Sequence, residues 1–191
     1  MGWRHVCFVN WPVDPETVAA HLPASLSADT FEGSAWLSVV PFTNVDVRPP
    51  WLPEGTGRRL PELNLRTYVR HGDDAGVYFF SLDAQGVAAV LGARLFHHLP
   101  YYYARIDLDE RPDGAIEFRS RRRHPGARPV DLHATYTPAG DPSPVEPGTL
   151  AAFLTARDRY FTEDLRGRLR YATVRHERWP LAEATVDCEA G

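Results

Sequence analysis

From position 62 to position 70 the chain alternates polar and apolar residues, and the polar set carries an acid, an amide, a phenol and two guanidinium groups. Glu62, Asn64, Arg66, Tyr68 and Arg70 fall on one face of an extended strand. Leu63, Leu65, Thr67 and Val69 fall on the other, because side chains alternate with period two. Two readings follow. Either the polar row faces solvent on a sheet with one wet side, or it lines the interior of a barrel or cone. In an interior, Arg66 can hold a carboxylate through a two-point guanidinium contact. Asn64 sets the polarity there, and Glu62 becomes a general acid or base once burial raises its pKa.

A second group lies downstream. Over 85–97 the residues Val87, Val90, Leu91 and Arg94 stand at helical spacing, so one charge sits within an apolar stripe. Arg94 either packs its stem and lifts its head to solvent or reaches a buried anion, with Glu62 as the natural partner. Tyr101, Tyr102 and Tyr103 open the next extended segment. Tyr101 and Tyr103 share a face and Tyr102 takes the opposite one, and a phenol turned into a cavity donates to a ligand. His97 and His98 are adjacent and cannot point the same way on a helix, so no metal site is expected. The run Arg119-Ser120-Arg121-Arg122-Arg123-His124 splits between the two faces of a strand and reads as a solvated strand end. No Gly-rich phosphate loop and no nucleophile elbow is present, and no cofactor is expected.

Composition narrows the chemistry. All 21 basic residues among the 191 are Arg, so an amine nucleophile on a lysine side chain is excluded. A net charge of −4 argues against a nucleic-acid binder, which needs a basic footprint. Cys7 and Cys188 are too few and too far apart in sequence for a disulfide framework or a zinc site, and are expected as free buried thiols. The first residues lack a signal-peptide pattern, and no run of about 18 apolar residues is present to span a membrane. A cytoplasmic location with no membrane partner is therefore expected.

The elements that hold these residues read as follows. A strand over 3–11 breaks at Pro12, and Asp14-Pro15-Glu16 starts a short helix with Asp as its cap. A turn at 31–34 leads to an extended run over 35–42. The Pro-rich stretch 48–61 is a long surface loop of the kind that covers sites. The strand over 63–70 turns at His71-Gly72-Asp73-Asp74 into a strand over 77–82, apolar on both faces and so central. Ser81 or Asp83 caps the helix over 85–97. Strands over 101–109 and 115–123 meet at a turn over 111–114, and another strand covers 130–137. A helix over 149–157 and a strand over 169–176 complete a single α+β domain, 1–191, of mainly antiparallel sheet with a few packed helices.

Several segments taken in order resemble a known family. They are Phe8-Val9-Asn10-Trp11-Pro12-Val13-Asp14-Pro15-Glu16, Pro61-Glu62-Leu63-Asn64-Leu65-Arg66-Thr67-Tyr68-Val69, Gly76-Val77-Tyr78-Phe79-Phe80-Ser81-Leu82-Asp83, Arg94-Leu95-Phe96, Leu99-Pro100-Tyr101-Tyr102 and His176-Glu177-Arg178-Trp179-Pro180-Leu181. Together they resemble the YqjF-like family, a domain of unknown function that looks like a branch of the acetoacetate decarboxylase superfamily. The resemblance implies a cone-like antiparallel β-barrel with flanking helices around an internal pocket. In the decarboxylase a helix carrying an Arg leads into Phe-Pro-Lys-Lys, and one lysine forms a Schiff base. Arg94 and Leu99-Pro100-Tyr101-Tyr102 match that stretch, with tyrosines where the lysines would stand. Glu62 matches the strand of the superfamily's catalytic carboxylate. Members of the family run past the position where this chain stops, so a final strand is expected to be missing.

A phenol cannot build the iminium electron sink that Schiff-base decarboxylation needs. Two functional readings remain. One is a pocket for a small organic acid or carbonyl compound, in which Arg66 or Arg94 holds the anion, Glu62 and Asn64 set the polarity, with Glu62 available for proton transfer, and Tyr101 or Tyr102 contacts the reacting or recognised group. It either binds or performs lyase- or hydrolase-like acid/base chemistry. The other is a non-catalytic assembly module, compatible with a homo-oligomer and favoured by an exposed apolar patch at Trp3, Trp51 or Trp179.

Overall fold

The computed structural model describes residues 2–48, 51–174 and 179–191. The chain opens with two short strands, β1 (Gly2–Arg4) and β2 (Val9–Val13), where one strand was expected. They are separated at His5, which adopts a positive φ of 55°. Helix α1 (Pro15–Ala19) begins as read: Asp14 caps it by accepting from the backbone of Glu16 and Thr17, with Pro15 at its first position. After the two-residue strand β3 (Ser27–Ala28) come three long strands, β4 (Ala35–Val47), β5 (Arg58–His71) and β6 (Asp74–Ala84). Helix α2 (Val87–His97) crosses to β7 (Tyr101–Glu110), which is followed by β8 (Ile116–Arg122) and β9 (Asp131–Pro144). Helix α3 (Leu150–Thr155) precedes β10 (Arg159–Glu163), β11 (Leu169–Thr173) and β12 (Pro180–Ala190).

The strands form one sheet in the order β1-β4-β5-β6-β7-β8-β9-β12, with β2, β3, β10 and β11 attached beside that path. Most neighbours are antiparallel. The exceptions are β6 with β7, whose parallel pairing the α2 crossover permits, and β6 with β10. Strand β6 is therefore bonded to three partners, in keeping with its apolar sequence.

Curling of the sheet brings its distant members together. Cys7, Leu63, Ile106, Phe118, Leu132 and Tyr136 make one core cluster, and the Tyr136 hydroxyl donates to the His5 carbonyl at 2.6 Å. A second cluster joins Tyr68, Val77 and Leu154 beneath α3. Phe118, Tyr68 and Ala104 are fully buried. Both sides of β5 are therefore covered: Leu63 enters the first cluster while Glu62 and Asn64, on the alternate face, are also buried, at 6% and 7% exposure. The wet-face reading of this strand does not hold.

Several local expectations are corrected. Ser81 and Asp83 do not cap α2: both lie in β6, and the helix starts at Gly86, which has a φ of 91° and offers no side chain to the cap. The Pro-rich connection is shorter than expected, because β4 runs on to Val47 and β5 starts at Arg58. Strands β10 and β12 were not anticipated, and β9 continues through Pro138 and Pro142 to pair with β12. The expected strand over 169–176 stops at Thr173, and His176 lies outside the described residues. In the Arg run, Arg122 turns inward to a buried ion pair with Asp83 at 2.8 Å, while Arg119, Arg121 and Arg123 stay exposed.

Candidate functional site

Glu62, Asn64 and Arg66 of β5 line a cavity of about 200 Å³ together with Tyr101 at the start of β7. Its wall is mainly apolar, with Val40, Phe42, Val77, Phe79, Leu82 and Leu99 between the polar groups. The Glu62 carboxylate is held by donors. Oε1 accepts from the Tyr101 hydroxyl at 3.1 Å and Oε2 from Asn44 Nδ2 at 3.0 Å. Asn44 accepts in turn from Trp3 Nε1 at 2.9 Å. An indole only donates, so the Asn44 amide must turn its oxygen to Trp3 and its NH2 to the acid. Burial pushes the Glu62 carboxyl up to about 7, and hydrogen bonds from Tyr101, Asn44 and Asn64 act against a further rise. The Tyr101 hydroxyl is driven well above the usual phenol range, first by burial and then by the Glu62 charge, so it stays neutral.

Arg66 occupies the other end of the row. Its Nη2 donates to the Leu154 carbonyl at 2.9 Å and to the Tyr68 hydroxyl at 3.5 Å. The guanidinium lies 5.2 Å from the Phe8 ring centre and 5.6 Å from that of Tyr68. Its contacts among the described residues are neutral ones, without a carboxylate. Neither Arg66 Nε nor Asn64 Oδ1 has a hydrogen-bond partner among the described residues, although both atoms are buried. Such groups cost roughly 1–3 kcal/mol each while unsatisfied.

Tyr102 and Arg94 are not brought to this cavity. Tyr102 packs edge-on against His124 with the Arg122 guanidinium 4.2 Å from its ring centre. Arg94 is exposed, donates to the Tyr101 carbonyl at 2.8 Å, and has its guanidinium 5.5 Å from the Tyr102 ring centre. It does not meet Glu62. The helix sits so that Val90 alone of the expected stripe is buried, while Val87 and Leu91 are 56% and 51% exposed.

Other lining residues went unread in the sequence. Arg157 and Arg159 both reach the cavity. Each is already paired with an acid: Arg157 Nη1 lies 2.7 Å from Asp29 Oδ2, and Arg159 pairs with Asp74. Trp3 and Trp179 also line it and stack edge to face at 5.5 Å, so neither forms an exposed patch. Trp51 does stand out, at 81% exposure.

A curled, mainly antiparallel sheet with such a cavity is the acetoacetate decarboxylase-like fold. Over 96% of its length the chain superposes on acetoacetate decarboxylase from Legionella pneumophila with a TM-score of 0.60, 14% identity and 70% of that chain covered. An acetoacetate decarboxylase-like enzyme from Sphingomonas wittichii gives 0.60 at 20% identity, covering 95% of this chain and 76% of the other. The enduracididine biosynthesis enzyme MppR in complex with pyruvate gives 0.58 at 15% identity, covering 95% and 74%. Within that fold the chain belongs to the DUF2071 family, described as an uncharacterized conserved protein, whose model matches residues 1–190. It is 41% identical over 186 residues to the uncharacterized protein YqjF of Bacillus subtilis, covering 97% of this chain and 75% of that one.

Proposed function

We propose that the cavity binds a small organic acid or carbonyl compound, and that any turnover there is acid/base chemistry without a Schiff base. The carrying observation is a half-buried guanidinium, Arg66, whose partners among the described residues are neutral, in the same cavity as a buried carboxyl, Glu62. A charge so placed favours an anionic ligand, which supplies the missing partner. Glu62, with its pKa near 7, is matched to proton transfer at neutral pH, and Tyr101 stands beside it to polarise a carbonyl. That MppR takes pyruvate on the same fold supports an oxo-acid as a first probe. The test is a thermal-shift screen of small carboxylates and oxo-acids on wild type and an Arg66→Ala variant. A ligand at 100 times its Kd stabilises by about 2.7 kcal/mol, a rise of roughly 5–11 °C for a domain of this size. A rise in wild type that disappears in the variant is expected, and one that survives in the variant removes Arg66 from the site.

A second reading has one observation in its favour. Helix α2 exposes Val87, Leu91 and Leu95 at four-residue spacing, followed by Phe96 at 81% exposure. This is an apolar face suited to assembly. Light scattering of wild type and a Leu91→Glu, Leu95→Glu variant reads it directly, because a particle mass that falls in the variant supports assembly and equal monomer masses reject it.

A further inference from the structure

The two polar ends of the cavity constrain the length of what bridges them. Glu62 and Arg66 lie four residues apart on one face of β5. The strand is regular there, because the irregularity beside it belongs to β6: Leu65 faces Ser81 and Arg66 faces Phe79, leaving Phe80 as the extra residue. At about 3.3 Å per residue the two Cα atoms stand roughly 13 Å apart. The side chains do not close that gap by meeting each other. Arg66 reaches the Leu154 carbonyl and the Tyr68 hydroxyl, on the side away from Glu62. Glu62 reaches Asn44 and Tyr101.

We propose that the cavity takes a medium-chain acid whose second polar group, a carbonyl or hydroxyl, lies several carbons from its carboxylate, with the carboxylate at Arg66 and the far group at Tyr101 and Glu62. This rests on the anion-pocket reading and adds the class of substrate to it. Side chains on one face of a strand project roughly in parallel, and Arg66 leans away from Glu62, so the head groups stand no closer than the backbone spacing. A hydrogen bond of about 3 Å at each end then leaves at least roughly 7 Å between the ligand's polar atoms, the reach of a chain with about three or more methylenes between the two groups. Val40 and Leu82, the cross-strand neighbours of Asn64, give the middle of that chain an apolar wall. The cavity volume of about 200 Å³ is many times the roughly 10–15 Å³ that a cavity needs to hold one water, and more than a three-carbon acid fills. In a 2-oxo acid the carbonyl adjoins the carboxylate, so it can engage one end only.

The experiment is calorimetric titration at pH 6 with methyl-ketone acids of growing length: pyruvate, acetoacetate, levulinate, 5-oxohexanoate and 6-oxoheptanoate. Hexanoate serves as the control without a carbonyl. Affinity is expected to rise at least tenfold from pyruvate to 5-oxohexanoate. Tyr101→Phe should abolish the advantage of 5-oxohexanoate over hexanoate without changing pyruvate binding. Affinity that is greatest for pyruvate, or level along the series, but still lost in Arg66→Ala overturns the length assignment and leaves the anion pocket standing. Absence of binding by every acid overturns both.

Discussion

Replacing Glu62 by Gln tests the central electrostatic claim without any ligand. In the unfolded chain this carboxyl titrates near its ordinary value of 4.5, and in the native cavity burial moves it to about 7. A carboxyl whose native pKa is raised binds its proton more tightly when folded. Its contribution is fully present below pH 4.5 and is lost as pH rises through about 7, after which both states are ionised. At 1.36 kcal/mol per pH unit between these two values, ionisation of this one group lowers stability by about 3 kcal/mol. Gln keeps the shape and an acceptor oxygen, and Tyr101 can reverse its hydrogen bond to receive the new NH2. The constant cost of the substitution is about 1 kcal/mol. Urea unfolding of both proteins at pH 4.5, 5.5, 6.5 and 8 should therefore show wild type about 1 kcal/mol the more stable at the acid end. The variant should be about 2 kcal/mol the more stable at pH 8. Taking the difference cancels every other titrating group. Parallel curves would refute the reasoning, because they would mean that the Glu62 carboxyl titrates alike in the folded and unfolded chain.

Two further substitutions probe the frame around the site. Arg122→Ala leaves the Asp83 carboxyl, 1% exposed, without its cation, and chemical denaturation should register a loss of about 3–5 kcal/mol; Arg122→Lys should recover part of it. Gly76→Ala places a Cβ 2.8 Å from the Arg159 carbonyl and 2.8 Å from the Phe161 ring, against backbone where β6 meets β10. A loss of about 1–3 kcal/mol is expected, read as a lowered Tm, and an unchanged Tm would mean that β10 does not pack as described.

How far the site could be read from sequence follows from which interactions are local. The row Glu62-Asn64-Arg66 was legible because strand periodicity alone puts the three on one face. Asn44 was not, because the apolar run read as ending at Phe42. The strand continues there because β1 and β5 pair with it on either side, Trp3 facing Asn44 and Leu60 facing Asn44 in turn. Choosing between Tyr101 and Tyr102 required the parallel register that sets Leu82 opposite Tyr101, and no local pattern encodes that. Arg94 was misplaced because helical spacing identifies a stripe of α2 but not its rotation about its own axis. The acetoacetate decarboxylase-like fold was legible through ordered motifs along the whole chain, more than through any single element.

The position of Tyr101 beside Glu62 has a consequence for binding. A neutral phenol has one proton. With Glu62 ionised, that proton points to Oε1, and the cavity meets only the lone pairs of the hydroxyl. With Glu62 protonated, the acid donates to Tyr101, whose own hydrogen becomes available to a carbonyl in the cavity. Asn44 and Asn64 are neutral donors to Glu62 and do not titrate. The phenol of Tyr160, which acts on Tyr101, is shifted upward by burial and also stays neutral near pH 7. Above about pH 7 an acceptor ligand should therefore bind with uptake of one proton. Its affinity should be level below about pH 7 and fall tenfold per pH unit above it. Titrations of 5-oxohexanoate in two buffers of different ionisation enthalpy would measure the proton count directly. Near zero uptake at pH 8 in wild type would refute the coupling. Uptake that is present in wild type and absent in Glu62→Gln would assign it to this pair, because the Gln amide donates to Tyr101 at every pH.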